Sequence, residues 1–198
     1  MIADAVTPLS ILDFDLENRP LSYLGYDWTS AEITGIAWSW VGADEVECLL
    51  LQKNGRFMDN AGRTYKAERA LTMFRELLLS ADIVTGHYIR KHDLPLFNSA
   101  LIEYGLPPLR SMLVQDTQAD MVRRKDLSAS QENLADMFGL PEAKHHMTMA
   151  EWRRANRLQK EGMEATRKRV VDDVIQHKAL RAEMVRRQLL KAPRKWSP

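Results

Sequence analysis

Acidic and apolar residues alternate along a short strand near the start of the chain. The segment Asp13-Phe14-Asp15-Leu16-Glu17 follows the apolar pair Ile11-Leu12 within a predicted strand over residues 10–17. Side chains two residues apart on a strand point to the same face, so Asp15 and Glu17 project together, about 6–7 Å apart. Buried carboxylates are costly unless something pairs with them, and a divalent cation can do so. The pattern therefore predicts a metal site on a buried strand.

Length and composition limit the classes of protein that fit. The chain has 198 residues, enough for one domain with a sizeable core. No apolar run reaches the ~18 residues of a membrane span, and no secretory signal pattern is visible. The single cysteine, Cys48, lies in a predicted strand, where we expect it to be buried and unreactive. These features predict a cytoplasmic protein without a membrane partner.

Positive charge is concentrated towards the end of the chain. The formal net charge is +1, yet residues 151–198 carry 14 lysines and arginines against 6 acidic residues. This distribution predicts a polyanionic partner, with a solvated helix face as the alternative. A predicted helix there carries Trp152 beside Arg153, Arg154 and Arg157, a set suited to nucleic acid, although Trp152 also suits a core position.

The order of predicted elements indicates an α/β fold with a mixed sheet flanked by helices. A loop over residues 18–30 precedes two strands joined by a short hairpin link, and Asn54-Gly55 suggests another turn. The first three strands are expected to be antiparallel and the later ones parallel. We expect one domain over residues 1–190 and a basic tail over 191–198. Predicted strands cover 10–17, 32–40, 45–51, 82–86 and 112–117, and predicted helices cover 65–79, 93–104, 130–138, 148–158 and 164–190.

Two further acidic sites follow in suitable contexts. Asp93 comes after a short apolar strand and a polar turn, at the head of an apolar helix, where an N-cap is the simpler interpretation. Asp173 lies in the long last helix, at the edge of a side lined by Val170 and Val174, where plain solvation is the simpler interpretation. Each site is weak evidence alone, so their order along the chain carries the argument.

That order resembles the DnaQ-like (DEDD) 3′–5′ exonucleases, which have a ribonuclease H-like fold. The matching motifs are the D-x-E at Asp15, the segment G-H-Y-I-R-K-H-D-L-P-L-F that begins at Gly86, and the D-V at Asp173. The resemblance spans nearly the whole chain. The stretch L-E-N-R-P and the compact length look most like the small stand-alone members that phages encode, so the cytoplasm in question would be that of the host cell.

The resemblance implies that Asp15, Glu17, Asp93 and Asp173 are catalytic and bind two divalent cations, Mg²⁺ or Mn²⁺. Two such ions about 3.5–4 Å apart activate a water and stabilise the leaving oxygen of a phosphodiester. The implied activity is hydrolysis from the 3′ end of single-stranded nucleic acid. DNA is the expected substrate and RNA the alternative, in a replication or recombination complex.

Substrate contacts and structural groups follow from the same resemblance. Leu16, Asn18, His87 and Tyr88 would lie near the terminal nucleotide, where aromatic and imidazole rings can stack on or bond to an unpaired base. Asp116 is interpreted as structural. Asp13 is interpreted as a strand-end group outside the metal ligands, and His177 as too far along the last helix to act.

One departure from the family concerns the group that deprotonates the attacking water. The family carries a Tyr four residues, or a His five residues, before the last Asp, whereas this chain has Arg169 and Lys168 there. An arginine stays protonated and is not a general base. His145 or His146 could replace it from the loop before the Thr148 helix. Otherwise the metal alone activates the water, or the domain is a catalytically impaired nucleic-acid-binding or polymerase-accessory module. A structure-specific nuclease on the same fold is a further alternative, because the fold alone does not determine where the strand is cut.

Overall fold

The computed structural model describes residues 9–20, 31–122, 127–141 and 144–198. In this part of the chain, one sheet of eight strands is flanked by six helices. The strands are β1 Ile11–Pro20, β2 Ala31–Trp40, β3 Glu47–Leu51, β4 Arg56–Met58, β5 Thr64–Lys66, β6 Ile83–Gly86, β7 Met112–Asp116 and β8 Arg194–Trp196. The helices are α1 Ala67–Ser80, α2 Asp93–Glu103, α3 Thr117–Met121, α4 Gln131–Met137, α5 Met149–Asn156 and α6 Lys160–Arg186.

The sheet is mixed, with β1 in its interior. Its strand order is β5-β4-β3-β2-β1-β6-β7-β8. Strands β1 to β3 pair antiparallel, and β6 and β7 add in parallel on the other side of β1. The predicted α/β architecture, with antiparallel strands first and parallel strands afterwards, is confirmed.

One face of β1 forms the main hydrophobic core with α1 and α2. Leu12, Phe14 and Leu16 alternate along this face and are at most 4% exposed. Phe74 of α1 packs against Phe14 at 5.6 Å between ring centroids and edge-on against Phe97 of α2 at 5.1 Å. The burial of these three aromatic side chains in mutual contact contributes strongly to the stability of this core. The apolar half of the alternating pattern therefore holds β1 in place.

The other face of the sheet is covered by α6, which contacts β1, β2 and β3. Its buried residues recur every three or four positions, as expected of a helix that packs one side against a sheet. They include Met163, Thr166, Val170, Asp173, Val174, His177, Leu180 and Met184. A polar side chain on this stripe must find a partner on the sheet, and the acidic half of β1 supplies several.

Several predicted boundaries differ from the structure. β1 continues to Pro20, so residues 18–20 are not loop, and the rest of that predicted loop lies outside the described residues. The helix predicted over 65–79 begins at Ala67, because Tyr65 belongs to the β4–β5 hairpin. The last helix begins at Lys160 rather than 164. Strands of three residues are too short to show a period, which is why the hairpin was not predicted.

The expected basic tail contributes a strand to the sheet. Residues 194–196 form β8, which pairs antiparallel with β7 and buries Trp196 to 7% exposure. Arg90 donates from its guanidinium to the carbonyls of Arg194 and Lys195 at 3.0 and 2.8 Å. Backbone pairing with β7, the buried Trp196 and the 2.9 Å ion pair of Arg194 with the buried Asp120 therefore attach this segment.

Two smaller expectations can be compared with the structure. Cys48 is fully buried in β3, and burial raises the pKa of its thiol to about 12, as expected of an unreactive cysteine. No helix in the described ranges is both long enough and apolar enough to cross a bilayer.

Candidate metal-binding cleft

The cleft opens where β1 extends beyond the end of β6, the strand that pairs with it in parallel. β1 pairs with β6 only from Ile11 to Asp13, and β6 ends at Gly86. Asp15 and Glu17 therefore lie beyond the end of β6, where the chain turns away into the segment before α2. A Cβ on Gly86 would lie 2.8 Å from the Phe14 carbonyl oxygen, so only glycine allows the turn to fold back this closely.

The acidic face of β1 meets one stripe of α6 in a matched register. Asp13 faces His177, Asp15 lies beside Asp173, and Glu17 pairs with Arg169. Four residues of helix advance about 6 Å and two residues of strand about 6.7 Å, so the two antiparallel elements stay in step. Ligand oxygens of Asp15, Glu17 and Asp173 consequently lie within 4.8 Å of one another.

Asp93 reaches the same cleft from the first residue of α2. Its Oδ1 accepts a hydrogen bond of 3.0 Å from the Leu16 backbone N–H, and the residue is 3% exposed. The N-cap position of α2 is His92, so Asp93 is the first residue of the helix rather than its cap. The carboxyl therefore ties α2 to β1 and leaves Oδ2 directed at the cleft, 3.6 Å from His92 Nδ1.

The turn that leads to Asp93 is anchored by Asp116 at the end of β7. Its carboxylate accepts bonds of 3.0 Å from the backbone N–H groups of Tyr88 and Arg90, and it also caps α3. Tyr88 adopts a φ of +68°, which is unusual for a residue other than glycine. Asp116 stabilises that conformation, in agreement with the structural role predicted for it.

The cleft has a volume of about 650 Å³, and all four predicted metal ligands line it. The four residues that we predict to contact substrate, Leu16, Asn18, His87 and Tyr88, also line it. The volume falls in the range of ordinary ligand-binding clefts. The structure thus brings together eight residues that are distributed over most of the sequence.

Burial disfavours the charged forms of three of these carboxyls, those of Asp15, Glu17 and Asp93. Burial, followed by the charges of Asp93, Asp173 and Glu17, raises the pKa of Asp15 well above its usual value. Burial raises the pKa of Glu17 to about 7 although Arg169 acts to lower it. Burial also raises the pKa of Asp93. Carboxyls crowded in this way are stabilised as anions when a cation joins them.

Two basic side chains enter the acidic cluster. The Arg169 guanidinium pairs with Glu17 through Nε, lies 3.8 Å from Asp173 Oδ2 and stacks 5.4 Å from the Trp152 ring centroid. Lys144 places Nζ 3.1 Å from Asp173 Oδ1. Lys144 was missed in the sequence because a single lysine in a loop carries no pattern.

The donor set fits a divalent cation of the Mg²⁺ or Mn²⁺ class. Asp173 Oδ1 is buried and accepts no hydrogen bond, since the nearby Lys144 ammonium does not approach it with hydrogen-bonding geometry. Oxygens are the ligands such ions prefer, and a six-coordinate Mg²⁺ has bonds of about 2.1 Å that place adjacent ligands about 3 Å apart. Small adjustments of Asp15, Glu17 and Asp173 would reach that spacing.

A buried polar chain supports His87 from behind. Its Nδ1 lies 2.9 Å from Thr117 Oγ1, which lies 3.0 Å from His177 Nε2, and His177 Nδ1 lies 2.7 Å from both oxygens of Asp13. Burial and the nearby His177 lower the pKa of His87 to about 3, so it is neutral at neutral pH. His177 is thus a supporting group of the cleft wall, a role that its position in the sequence does not indicate.

The two histidines proposed as a general base do not line the cleft. His145 Nε2 lies 3.6 Å from Glu151 Oε1, and His146 Nε2 lies 3.8 Å from Glu132 Oε1. Glu151 is itself part of the capping box that begins α5. The structure therefore associates both rings with helix ends rather than with the carboxylate cluster.

Metal affinity is expected to strengthen as the pH rises. Because the pKa of Glu17 is raised to about 7 and that of Asp15 is also raised, a cation that binds below about pH 7 must displace protons. Each displaced proton changes the affinity about tenfold per pH unit, and the slope should fall by one proton above about pH 7. Calorimetric Mn²⁺ titrations between about pH 5.5 and 8.5 measure this slope, and a flat profile would contradict the burial of these carboxyls.

Comparison with known proteins supports the fold and little else. No protein-family model and no curated protein matches the chain. Among solved structures, the family B DNA polymerase of the hyperthermophilic archaeon Pyrobaculum calidifontis superposes with a TM-score of 0.66 at 13% identity. The alignment covers 92% of this chain and 25% of the polymerase. The fold is ribonuclease H-like. Identity this low establishes no shared activity, and the chain spans only about a quarter of that relative.

Proposed function

We propose that this chain is a metal-dependent 3′–5′ exonuclease that hydrolyses phosphodiester bonds at the 3′ end of single-stranded DNA. The observation that carries the proposal is the convergence of Asp15, Glu17, Asp93 and Asp173 in one cleft, with a buried Asp173 oxygen that accepts no hydrogen bond. A divalent cation bound there would act as a Lewis acid on the phosphodiester and its attacking water. Short RNA is the alternative substrate.

The remaining cleft residues have roles that follow from their positions. Asn18 follows the carboxylates on β1 and would contact the terminal nucleotide, whereas the Leu16 side chain packs in the core and its backbone N–H positions Asp93. Tyr88 is 42% exposed and lies 6.5 Å from His92 between ring centroids, nearly parallel to it, so a base could stack on this pair. Neutral His87 would offer hydrogen bonds rather than charge. The expected partner is a single strand presented by a replication or recombination complex.

The test is a time course on 5′-labelled single-stranded DNA and RNA with Mg²⁺ or Mn²⁺. We expect a ladder that shortens from the 3′ end and is abolished in the Asp15→Ala/Glu17→Ala variant. Hairpin and flap substrates in the same assay separate exonuclease from structure-specific endonuclease action. If the substrate stays intact while a gel shift shows that the protein still binds it, the proposed nuclease activity is refuted.

A catalytically impaired nucleic-acid-binding module is the second candidate. It is favoured by Arg169 and Lys168 at the positions where the DnaQ-like family has its Tyr or His. Lys168 is 59% exposed and pairs with Asp172 at 2.5 Å, so it lies outside the cluster. The gel-shift result described above is the outcome that would select this candidate.

Replacing His145 and His146 together with glutamine is expected to leave the cleavage rate within a few-fold of the wild type. Neither ring lines the cleft, and each lies beside a glutamate. Single-turnover rates with saturating Mg²⁺ provide the measurement. A fall of about 100-fold, the size of a lost general base, would show that one of them enters the cleft when substrate binds.

A further inference from the structure

The acidic cluster already contains positive charge from the protein. The Arg169 side chain is 21% exposed and the Lys144 side chain 17% exposed, so both cations are largely withdrawn from water. They approach different oxygens of Asp173, Lys144 at Oδ1 and Arg169 at Oδ2. Arg169 also holds Glu17, which would otherwise be free to bridge two metal ions.

Charge balance indicates how much more positive charge the cleft can accept. Four ionised carboxylates carry a charge of about −4, and the guanidinium and ammonium reduce it to about −2. One divalent cation neutralises that remainder. A second would leave the cluster about +2 and would lie beside two fixed cations in a poorly solvated site, where repulsion is strong.

The geometry of the ligands also indicates a single bound divalent cation. Asp15, Glu17 and Asp173 each bring one oxygen into a single group within 4.8 Å, which is the ligand set of one ion. Asp93 does not belong to this group, and its Oδ1 is already used by the Leu16 N–H. Two-metal sites normally need carboxylates that bridge the ions, and Glu17 and Asp173 are the residues that Arg169 engages.

We propose that this cleft binds one divalent cation and that Arg169 and Lys144 together occupy the place of the second. The expectation of two ions, which came from the family resemblance, is replaced by one ion and two side-chain cations. In this arrangement the side-chain cations face the phosphodiester beside the metal. The inference deepens the proposed function, on which its meaning for catalysis rests, but the number of bound ions can be measured without any substrate.

The primary measurement is Mn²⁺ binding to the full chain without nucleic acid, followed by the electron paramagnetic resonance signal of free and bound ions. We expect one Mn²⁺ per chain, with any second ion at least about 100-fold weaker. Two ions of similar affinity, or an exchange-coupled signal from ions about 4 Å apart, would overturn the proposal.

Charge variants test which groups exclude the second ion. Arg169→Gln and Lys144→Gln should each strengthen the second Mn²⁺ site at least tenfold, whereas Arg169→Lys should not. Arg187→Gln is the matched control, because Arg187 pairs with Glu183 at 2.5 Å and stacks 4.4 Å from the Phe138 ring centroid, away from the cleft. A second site that stays weak in both glutamine variants would refute the role of these cations.

The outcomes remain distinguishable if a variant unfolds or if the function is wrong. Thermal melting shows whether Arg169→Gln is folded, and Lys144→Gln, which alters a loop, provides an independent test. One ion bound without any cleavage would retain this inference and reject the nuclease. Cleavage with two ions bound would retain the nuclease and reject this inference.

Discussion

Asp15→Asn is expected to abolish metal-dependent cleavage while raising the melting temperature of the metal-free protein. Asp15 is a predicted metal ligand on which the charges of Asp93, Asp173 and Glu17 all act, and a lost metal ligand removes several kcal/mol of transition-state stabilisation. A fall of about 10³-fold or more in the cleavage rate corresponds to about 4 kcal/mol. The amide keeps the size of the side chain, so the fall would not reflect a cavity.

The gain in stability has an electrostatic cause. The folded-state pKa of Asp15 is raised, so folding is favoured while the carboxyl is protonated and loses that advantage as the pH rises above the unfolded-state value. At neutral pH the asparagine variant avoids this loss, so its metal-free form should be the more stable of the two. For a chain of this length, each kcal/mol shifts the melting temperature by about 2–4 °C.

Differential scanning calorimetry with a chelator, at about pH 7 and again near pH 4, checks this expectation. The difference in melting temperature between the metal-free Asp15→Asn variant and the wild type should shrink near pH 4, where the wild-type Asp15 carboxyl is protonated in the folded state. Asp44→Asn, in an exposed turn, is the matched control and should change neither cleavage nor melting. A metal-free Asp15→Asn protein that melts below the wild type would contradict the crowding of carboxylates described here.

Gly162→Ala is expected to destabilise the protein by about 3 kcal/mol or more. A Cβ at this position would overlap the backbone of Arg154 and Ala155, because α5 lies directly on the first turn of α6. Backbone atoms cannot rotate aside, so α5 would have to move. The expected fall in melting temperature is about 6–12 °C.

The same substitution should also disturb the position of Arg169 in the cleft. α5 carries Trp152, on which the Arg169 guanidinium stacks, so a displaced α5 removes that support. Gly35→Ala is the control, since a Cβ there lies 3.4 Å from Val170 and 3.6 Å from the Glu17 Cβ, at ordinary contact distance. Gly35→Ala should melt within about 1 °C of the wild type. Equal melting temperatures for both variants would show that α5 does not lie as described.

The positions of the predicted ligands depended on local signals that the sequence does carry. Asp15 and Glu17 are marked by the period of a strand, and Asp93 by its place after a strand end and before an apolar helix. Asp173 was located by its place among buried valines on a helix. These short-range patterns predict the elements, but taken alone they favour a helix cap for Asp93 and a solvated Asp173. The resemblance to the DnaQ-like exonucleases is what joined the acidic residues into one predicted site.

The other groups that contact or support the site are not marked by any local pattern in the sequence. Lys144 reaches Asp173 from a loop, and nothing in its neighbours distinguishes it from a surface lysine. His177 is absent from the cleft lining, as expected, but its pairing with Asp13 was not predicted because the two residues are distant in sequence. β8 depends on pairing with β7, which is distant in sequence. Such long-range contacts are invisible to periodicity.

Because β1 and α6 are matched in register, an insertion should disturb the contacts between them far more than a substitution does. A substitution at one of the pairs Asp13–His177, Asp15–Asp173 and Glu17–Arg169 leaves the backbone register of the other two unchanged. A single residue inserted between Arg169 and His177 would instead rotate part of α6 by about 100° and separate at least one pair. Over evolutionary time, this helix should therefore accept new residues at a position far more readily than it accepts a change of length.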